Sequence, residues 1–190
     1  MTRFAEISLM NTFNKYPWNR YINMSIKVCG QCIAHTLSGS RCKRTTCRSQ
    51  YCFQHLAKEK GVKIAESKIR LLQPDGTLGK TGLGLFATKD FAKNRPIVPY
   101  EGEVFHMDPG HDSGYVLQVA RDRWIDARRT NSIGRYSNSC RRVNQRRGEC
   151  SGNNGKFTRH QPWPNLTASK KIKKGQEIVS SYGRTYFNGS

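Results

Sequence analysis

Five of the seven cysteines fall in one short stretch, "CGQCIAHTLSGSRCKRTTCRSQYCFQHL", at Cys29, Cys32, Cys42, Cys47 and Cys52, with His55 close behind. Zinc takes four thiolate or imidazole ligands in a tetrahedron, and a Cys-x-x-His pair supplies two of them from one turn. Cys52-Phe-Gln-His55 is such a pair. Cys32 and Cys42, which flank the turn-rich "TLSGSR", are the expected partners, and Cys29 and Cys47 stand by as substitutes. A unit of about thirty residues buries little apolar surface, so a bound metal would supply most of its folding free energy. Arg41, Lys43, Arg44 and Arg48 would then be displayed on a rigid knuckle.

The rest of the chain must be organised around that unit. At 190 residues there is room for one ordinary domain and a small appendage. The expected division is a flexible arm at 1–24, a Cys/His module at 25–60 and a larger domain at 64–188, with Cys140 and Cys150 far from the cluster. The opening "MTRFAEISLMNTFNKYPWNRYINM" is too polar for a signal peptide, and no apolar run is long enough to span a bilayer. An intracellular protein without membrane attachment is expected. In a reducing compartment its cysteines read as metal ligands or reactive thiols, not disulfides. The net charge of +20 favours polyanionic partners such as DNA or chromatin.

A second stretch, "DGTLGKTGLGLFATKDF" at 75–91, carries two apparent nucleotide signatures. A Walker loop would need glycine at position 74, where Pro74 stands, and a helix where Gly82 and Gly84 follow. A dinucleotide fingerprint needs a buried strand before the glycines and a long helix after them. "QPDGTLGKT" is turn-rich, and Pro96 and Pro99 leave no room for that helix. "GLGLFAT" and "RPIVPYEGEVF" read instead as two short strands joined by a turn.

Taken together, "GLGLFATKDFAKNRPIVPYEGEV", "WIDARRTNSIGRYSNSC" and "KIKKGQEIVSSYGRTYF" resemble, in order and spacing, the SET domain of protein lysine methyltransferases. The likeness runs over about residues 64–188. It implies a mainly β fold of several small sheets with a knot-like C-terminal crossing, beside the zinc-stabilised N-terminal unit. That unit resembles short binding modules in which Thr-x-x-Gly-x-x-Cys is followed by Tyr-Cys-x-x-His.

The resemblance also implies roles. Gly82, Leu83 and Gly84 would bring backbone against the methionine part of S-adenosylmethionine (SAM), since glycine permits close approach. In "GRYSNSC", Arg135, Tyr136, Asn138 and Ser139 take the places of cofactor-binding residues, with Asn138 retained and Ser139 standing where the family has histidine. The usual Cys-x-Pro-Asn is delayed by an insertion carrying four arginines and Cys150, and Asn153-Asn154 resume the pattern. That insertion reads equally as a nucleic-acid contact or a solvated loop. Tyr182 is the main catalytic candidate, Tyr100 would stand at the mouth of the lysine channel, and Phe187 would close the cofactor pocket or stack on adenine. Ser180 replaces a common aromatic, which implies room for more than one methyl transfer.

A lysine amine of reference pKa about 10.4 must be neutral to attack, and an apolar channel beside a sulfonium disfavours the ammonium. Alignment is then the main catalytic task, and the two tyrosines would perform it. Between Arg95 and Arg121 there is no Lys or Arg, but there are Glu101, Glu103, Asp108 and Asp112. This acidic island reads equally as a solvated loop or as a site for a basic substrate such as a histone tail in nucleosomes, with the basic flanks meeting DNA in the nucleus. The chain ends at "YFNGS" without the cysteine cluster that walls the channel in many SET enzymes. Another segment or a second subunit, as in a homodimer, is therefore expected to complete the site. Two other readings use the same residues: a SET-like chromatin-binding protein without activity, favoured by Ser139, and a nucleic-acid-binding zinc protein.

Overall fold

The computed structural model describes residues 29–72, 76–80, 82–106, 115–140 and 152–181. The arm at 1–24, Asp108, Asp112, Cys150, Tyr182, Tyr186 and Phe187 lie outside the described residues. Strand dominates: the described elements are short strands in five small sheets, a helical stretch at 53–60 and a 3-10 turn at 134–136.

In the module, β1 (Gly30–Gln31) and β2 (Thr45–Thr46) form an antiparallel ribbon with Gly30 opposite Thr46. A single α turn, Phe53–His55, continues as a π-helical stretch, Leu56–Lys60. Gly61 ends it in the left-handed region at φ 69°, with its N–H bonded to Ala57 O. A side chain there would be strained and would also run into Lys89. Gly61 O in turn accepts from Thr88 N, so this turn is pinned to the body of the protein.

The body is built on β6 (Leu83–Ala87), which lies between β3 (Val62–Glu66) and β13 (Glu177–Ile178), antiparallel to both. Apolar runs in strands signal burial on both faces, and β6 is buried at all positions but its first. A second sheet has the order β11 (Gly155–Thr158), β12 (Asn165–Ala168), β7 (Pro96–Pro99). Proline cannot donate to a ladder, and the prolines that begin and end β7 are accommodated because β7 is an edge strand. β8 (Glu103–Phe105), β10 (Arg123–Asp126) and β9 (Val116–Ala120) form the third, with a register shift at Arg123/Trp124. β4 (Arg70–Leu72) and β5 (Leu78–Lys80) make a separate hairpin. The two strands expected after the glycines therefore exist, but they do not pair: β6 and β7 belong to different sheets, and the apolar faces of those sheets meet in the core.

That core includes Val62, Leu85, Val98, Leu166, Ile172 and Ile178, all 1% exposed or less. Leu56 of the module is part of it, and Tyr51 packs against both this core and the Cys32/Cys42/Cys52 cluster. Module and body thus share apolar contacts. Leu56→Ala is expected to cost about 2–4 kcal/mol through the cavity it leaves, seen as a single lowered transition in thermal unfolding. Two separate transitions in the wild type would contradict the shared core.

Candidate functional site

Cys32, Cys42, Cys52 and His55 converge, their ligand atoms all within 4.8 Å of one another. The ribbon places Cys32 and Cys42 next to each other through Cys32 N to Arg44 O and Cys42 N to Ala34 O. The helical turn brings Cys52 and His55 to the same point. His55 Nδ1 lies 3.5 Å from Cys32 Sγ and 3.4 Å from Cys52 Sγ. Zinc–sulfur bonds of about 2.3 Å and zinc–nitrogen bonds of about 2.0 Å at tetrahedral angles put those atoms about 3.5 Å apart. The three cysteines are buried and the histidine half-buried, so the donor set fits a structural zinc ion in ligand type, number and spacing. Cys52 N–H also donates to Cys32 Sγ at 3.2 Å.

Burial opposes ionisation of Cys52, but the His55 amide, the Cys32 and His55 side chains and the Gln54 amide outweigh it. The thiol is lowered to about 6. At Cys42 the Arg44 amide favours the thiolate, yet burial and the adjacent cysteines prevail and push it up.

The substitutes are resolved by the same ribbon. Its register sets positions 29 and 47 opposite each other, and Cys29 and Cys47 form a disulfide. Cys140 is also disulfide-bonded. The expectation of a chain without disulfides is therefore corrected: proximity in the fold pairs thiols that the sequence only numbers.

The second constellation lies where β6, β13 and the segment after the 3-10 turn meet. Asn138 Nδ2 donates to Leu83 O at 3.0 Å and to Glu177 Oε1 at 3.2 Å. Asn138 O accepts from Ser180 N, and Ser137 Oγ donates to Ile178 O, so residues 137–138 run beside 178–180. Asn154 completes the crossing: its Nδ2 donates to Glu177 O, and its Oδ1 accepts from Val179 N. Asn153 Oδ1 accepts from Cys140 N, which joins the two ends of the insertion. Ser180 is fully buried, with its hydroxyl 3.0 Å from Ser137 Oγ.

Gly82 has φ 89°, and its carbonyl accepts from Ser67 N. Gly84 is in the strand itself. There an added Cβ would stand 2.3 Å from Glu177 Oε1, so the close approach that requires glycine at this position is that of a carboxylate.

Arg135 and Tyr136 sit in the interior. The Arg135 guanidinium donates to the carbonyls of Ala127, Arg128 and Thr130 and to the Tyr136 hydroxyl, and lies over the rings of Tyr115 and Tyr136. Arginine's fork of donors suits such a cluster of carbonyls, and in this position it holds the 127–130 turn against the 3-10 turn. Ser139 is buried beside them in sequence. Tyr100 is buried too: its hydroxyl donates to Tyr115 O at 2.6 Å and its ring meets Phe157 edge-on at 5.3 Å. Next in the chain, burial pushes the Glu101 carboxyl up, with Lys60 pulling it partly back.

Of the expected cofactor residues, the fold brings Leu83, Gly84 and Asn138 together and turns Arg135 and Tyr136 to internal bonds. Glu177 lies inside the motif "GQEIVSSYG" but was not among the expected site residues, and nothing in its immediate sequence neighbours, Gln176 and Ile178, sets it apart.

The family model for the SET domain matches residues 82–183, more than half of the chain. The chain belongs to the SET-domain family. Comparison with curated protein sequences finds no match. Among solved structures, the SET chain is similar to a humanized mutant of the Chaetomium thermophilum Polycomb Repressive Complex 2 in an inhibitor-bound state, at 24% identity and a TM-score of 0.47. It is also similar to the Chaetomium thermophilum Polycomb Repressive Complex 2 itself, at 22% identity and a TM-score of 0.46. Each likeness covers 68% of this chain and 16% of the other, so the chain spans about a sixth of those proteins' length.

Adding a strong chelator is expected to lower the melting temperature of the zinc-loaded SET protein, and Cys42→Ser to abolish stoichiometric zinc uptake measured by elemental analysis. Because ligands must lose their protons to bind, affinity should fall as the pH is lowered already from the alkaline range, where the Cys42 thiol holds its proton. It should fall more steeply below about 6, where the Cys52 thiolate takes one up as well.

Proposed function

We propose that this SET protein is a SAM-dependent protein lysine N-methyltransferase acting on a basic substrate, a histone tail in nucleosomes, in the nucleus. The observation that carries the reading is the Asn138 side chain bonded to the backbone of Leu83. This contact unites, across more than fifty residues of chain, the two motifs that the family resemblance assigns to the cofactor. Bound SAM would supply an activated methyl group on a sulfonium. Leu83, Gly84, Asn138 and Ser139 would line its site, with Gly82 turning the backbone toward it. Arg135 and Tyr136 would contribute by fixing the Asn138 segment.

The assignment of Tyr182 as the aligning hydroxyl and Phe187 as the residue closing the pocket follows the family motif. Tyr100 would form a wall of the lysine channel, since its own hydroxyl is held by Tyr115 O. Glu101 beside it supports a cationic substrate: a lysine or arginine side chain arriving there would offset the burial that raises this carboxyl.

A groove of about 410 Å³ between the β9–β10 hairpin and the β11–β12 connection is lined by Arg123, Arg159 and His160 together with Phe157. Its charge mismatches a basic tail and matches phosphate, which supports DNA contact as a separate function of the body. The division proposed is a module at 25–60 followed by the SET domain at 64–188, with zinc in the module. A homodimer would complete the channel; sedimentation of a fully active protein only as monomer would refute it.

A second reading, a SET-like chromatin-binding protein without turnover, is favoured by Ser139, a serine where the family has an imidazole. Incubation with radiolabelled SAM and nucleosomes or free core histones separates the two. Label on a histone is expected, falling about a hundredfold or more in Tyr182→Phe if its hydroxyl stabilises the transition state. SAM binding without label would favour the second reading.

A further inference from the structure

The Glu177 carboxylate ties the Ser67–Lys68 segment to Asn138, beside Gly84 of the proposed cofactor site. Its Oε1 accepts from Ser67 Oγ at 2.6 Å and from Asn138 Nδ2 at 3.2 Å, while its Oε2 accepts from Lys68 N at 2.9 Å. The same Oε1 occupies the space that a side chain at Gly84 would need. Ser67, only 2% exposed, adds a link of its own, donating its amide to Gly82 O and accepting from Ile69 N. Every partner of the carboxylate is a donor. A carboxylate presents two acceptor oxygens and suits such a set, whereas the amide of glutamine would turn an N–H toward at least one donor.

This arrangement fixes a choice that Asn138 could not make alone. A carboxamide has one donor end and one acceptor end that differ little in shape. Leu83 O and Glu177 Oε1 are both acceptors, so they hold the Nδ2 end between them. The Oδ1 end is thereby directed away from β6 as a hydrogen-bond acceptor. We propose that Glu177 is a positioning residue: by its bonds to Asn138, Ser67 and Lys68 it sets the orientation of the Asn138 amide against the glycine strand and so prepares the SAM site. It need not touch the reacting atoms. The inference rests on the functional reading above, because it takes Asn138 as a cofactor contact.

The test uses the whole 190-residue chain and SAM itself. Glu177→Gln, which removes the charge but keeps the size, is expected to weaken SAM binding about tenfold in calorimetry, the scale of one hydrogen bond to a charged group. In the methylation assay KM for SAM should rise by a similar factor while kcat stays within about twofold. The discriminating measurement is a double-mutant cycle with Asn138→Ala, read as SAM affinity. If Glu177 acts through Asn138, Glu177→Gln should add less than about twofold once Asn138 is gone. Thermal unfolding of each variant identifies any that fail to fold; for Glu177→Gln, Ser67→Ala then removes another bond to the same carboxylate and should weaken SAM binding in the same non-additive way. Additive losses in a protein whose wild type binds SAM would overturn the positioning role alone. A wild type that binds no SAM would overturn the functional reading and this inference together.

Discussion

β6 is hydrogen-bonded along both edges, to β3 on one side and to β13 on the other, and four of its five residues are buried. β10 and β12 are held in the same way at the centres of their own sheets. But β6 is the central strand that carries Leu83 and Gly84, and the candidate site takes its bearings from it. Through β3 it fixes the exit from the Cys/His module, and through β13 it carries Glu177. Leu83, at its start, offers its carbonyl to Asn138. A backbone acceptor at the end of a strand pinned on two sides moves little, so it serves as a reference for a side chain arriving from a distant part of the chain.

The network around that point consists of polar groups that satisfy one another. Asn138, Asn154, Ser137 and Ser180 answer backbone groups of residues 177–180 and one another, and burial makes each bond harder to replace with water. Such a lattice selects one path for the crossing strands, since a slip by one residue would orphan several donors and acceptors at once. A direct bond from Cys140 N to Asn153 Oδ1 spans the 141–152 insertion. Residues can be added between two tethered ends at small cost in loop closure.

The module is small, but it is not an independent bead. Tyr51 and Leu56 place its apolar side against the body, Gly61 and Thr88 join the two backbones, and Lys60 acts on Glu101. Its order therefore bears on the surroundings of Glu101. Its exposed face carries Phe53 with Arg44 over the ring, and the cations Arg41, Lys43 and Arg48. The chemistry of the module is thus divided between a buried face of soft ligands and an outer face of charge.

Sequence alone determined the features that depend on residue type at short range. The Cys52/His55 pair is legible because one turn brings i and i+3 together, and the failure of both nucleotide motifs follows from Pro74, Pro96 and Pro99. The order of the SET motifs also survives in one dimension. Tertiary structure decided what depends on contact across long separations. The register of two short strands, not the spacing of cysteines, paired Cys29 with Cys47 and left Cys32 and Cys42 to join the cluster. Arg135 lies among motif residues yet turns inward, where three carbonyls of the 127–130 turn accept from its guanidinium. Glu177 reads as an ordinary acid in a short strand until folding brings Ser67, Gly84 and Asn138 around it. The physical reason is common to these cases: periodicity and local turns are written in neighbouring residues, whereas a hydrogen-bond partner is chosen by whichever donor or acceptor the packed strands bring within 3 Å.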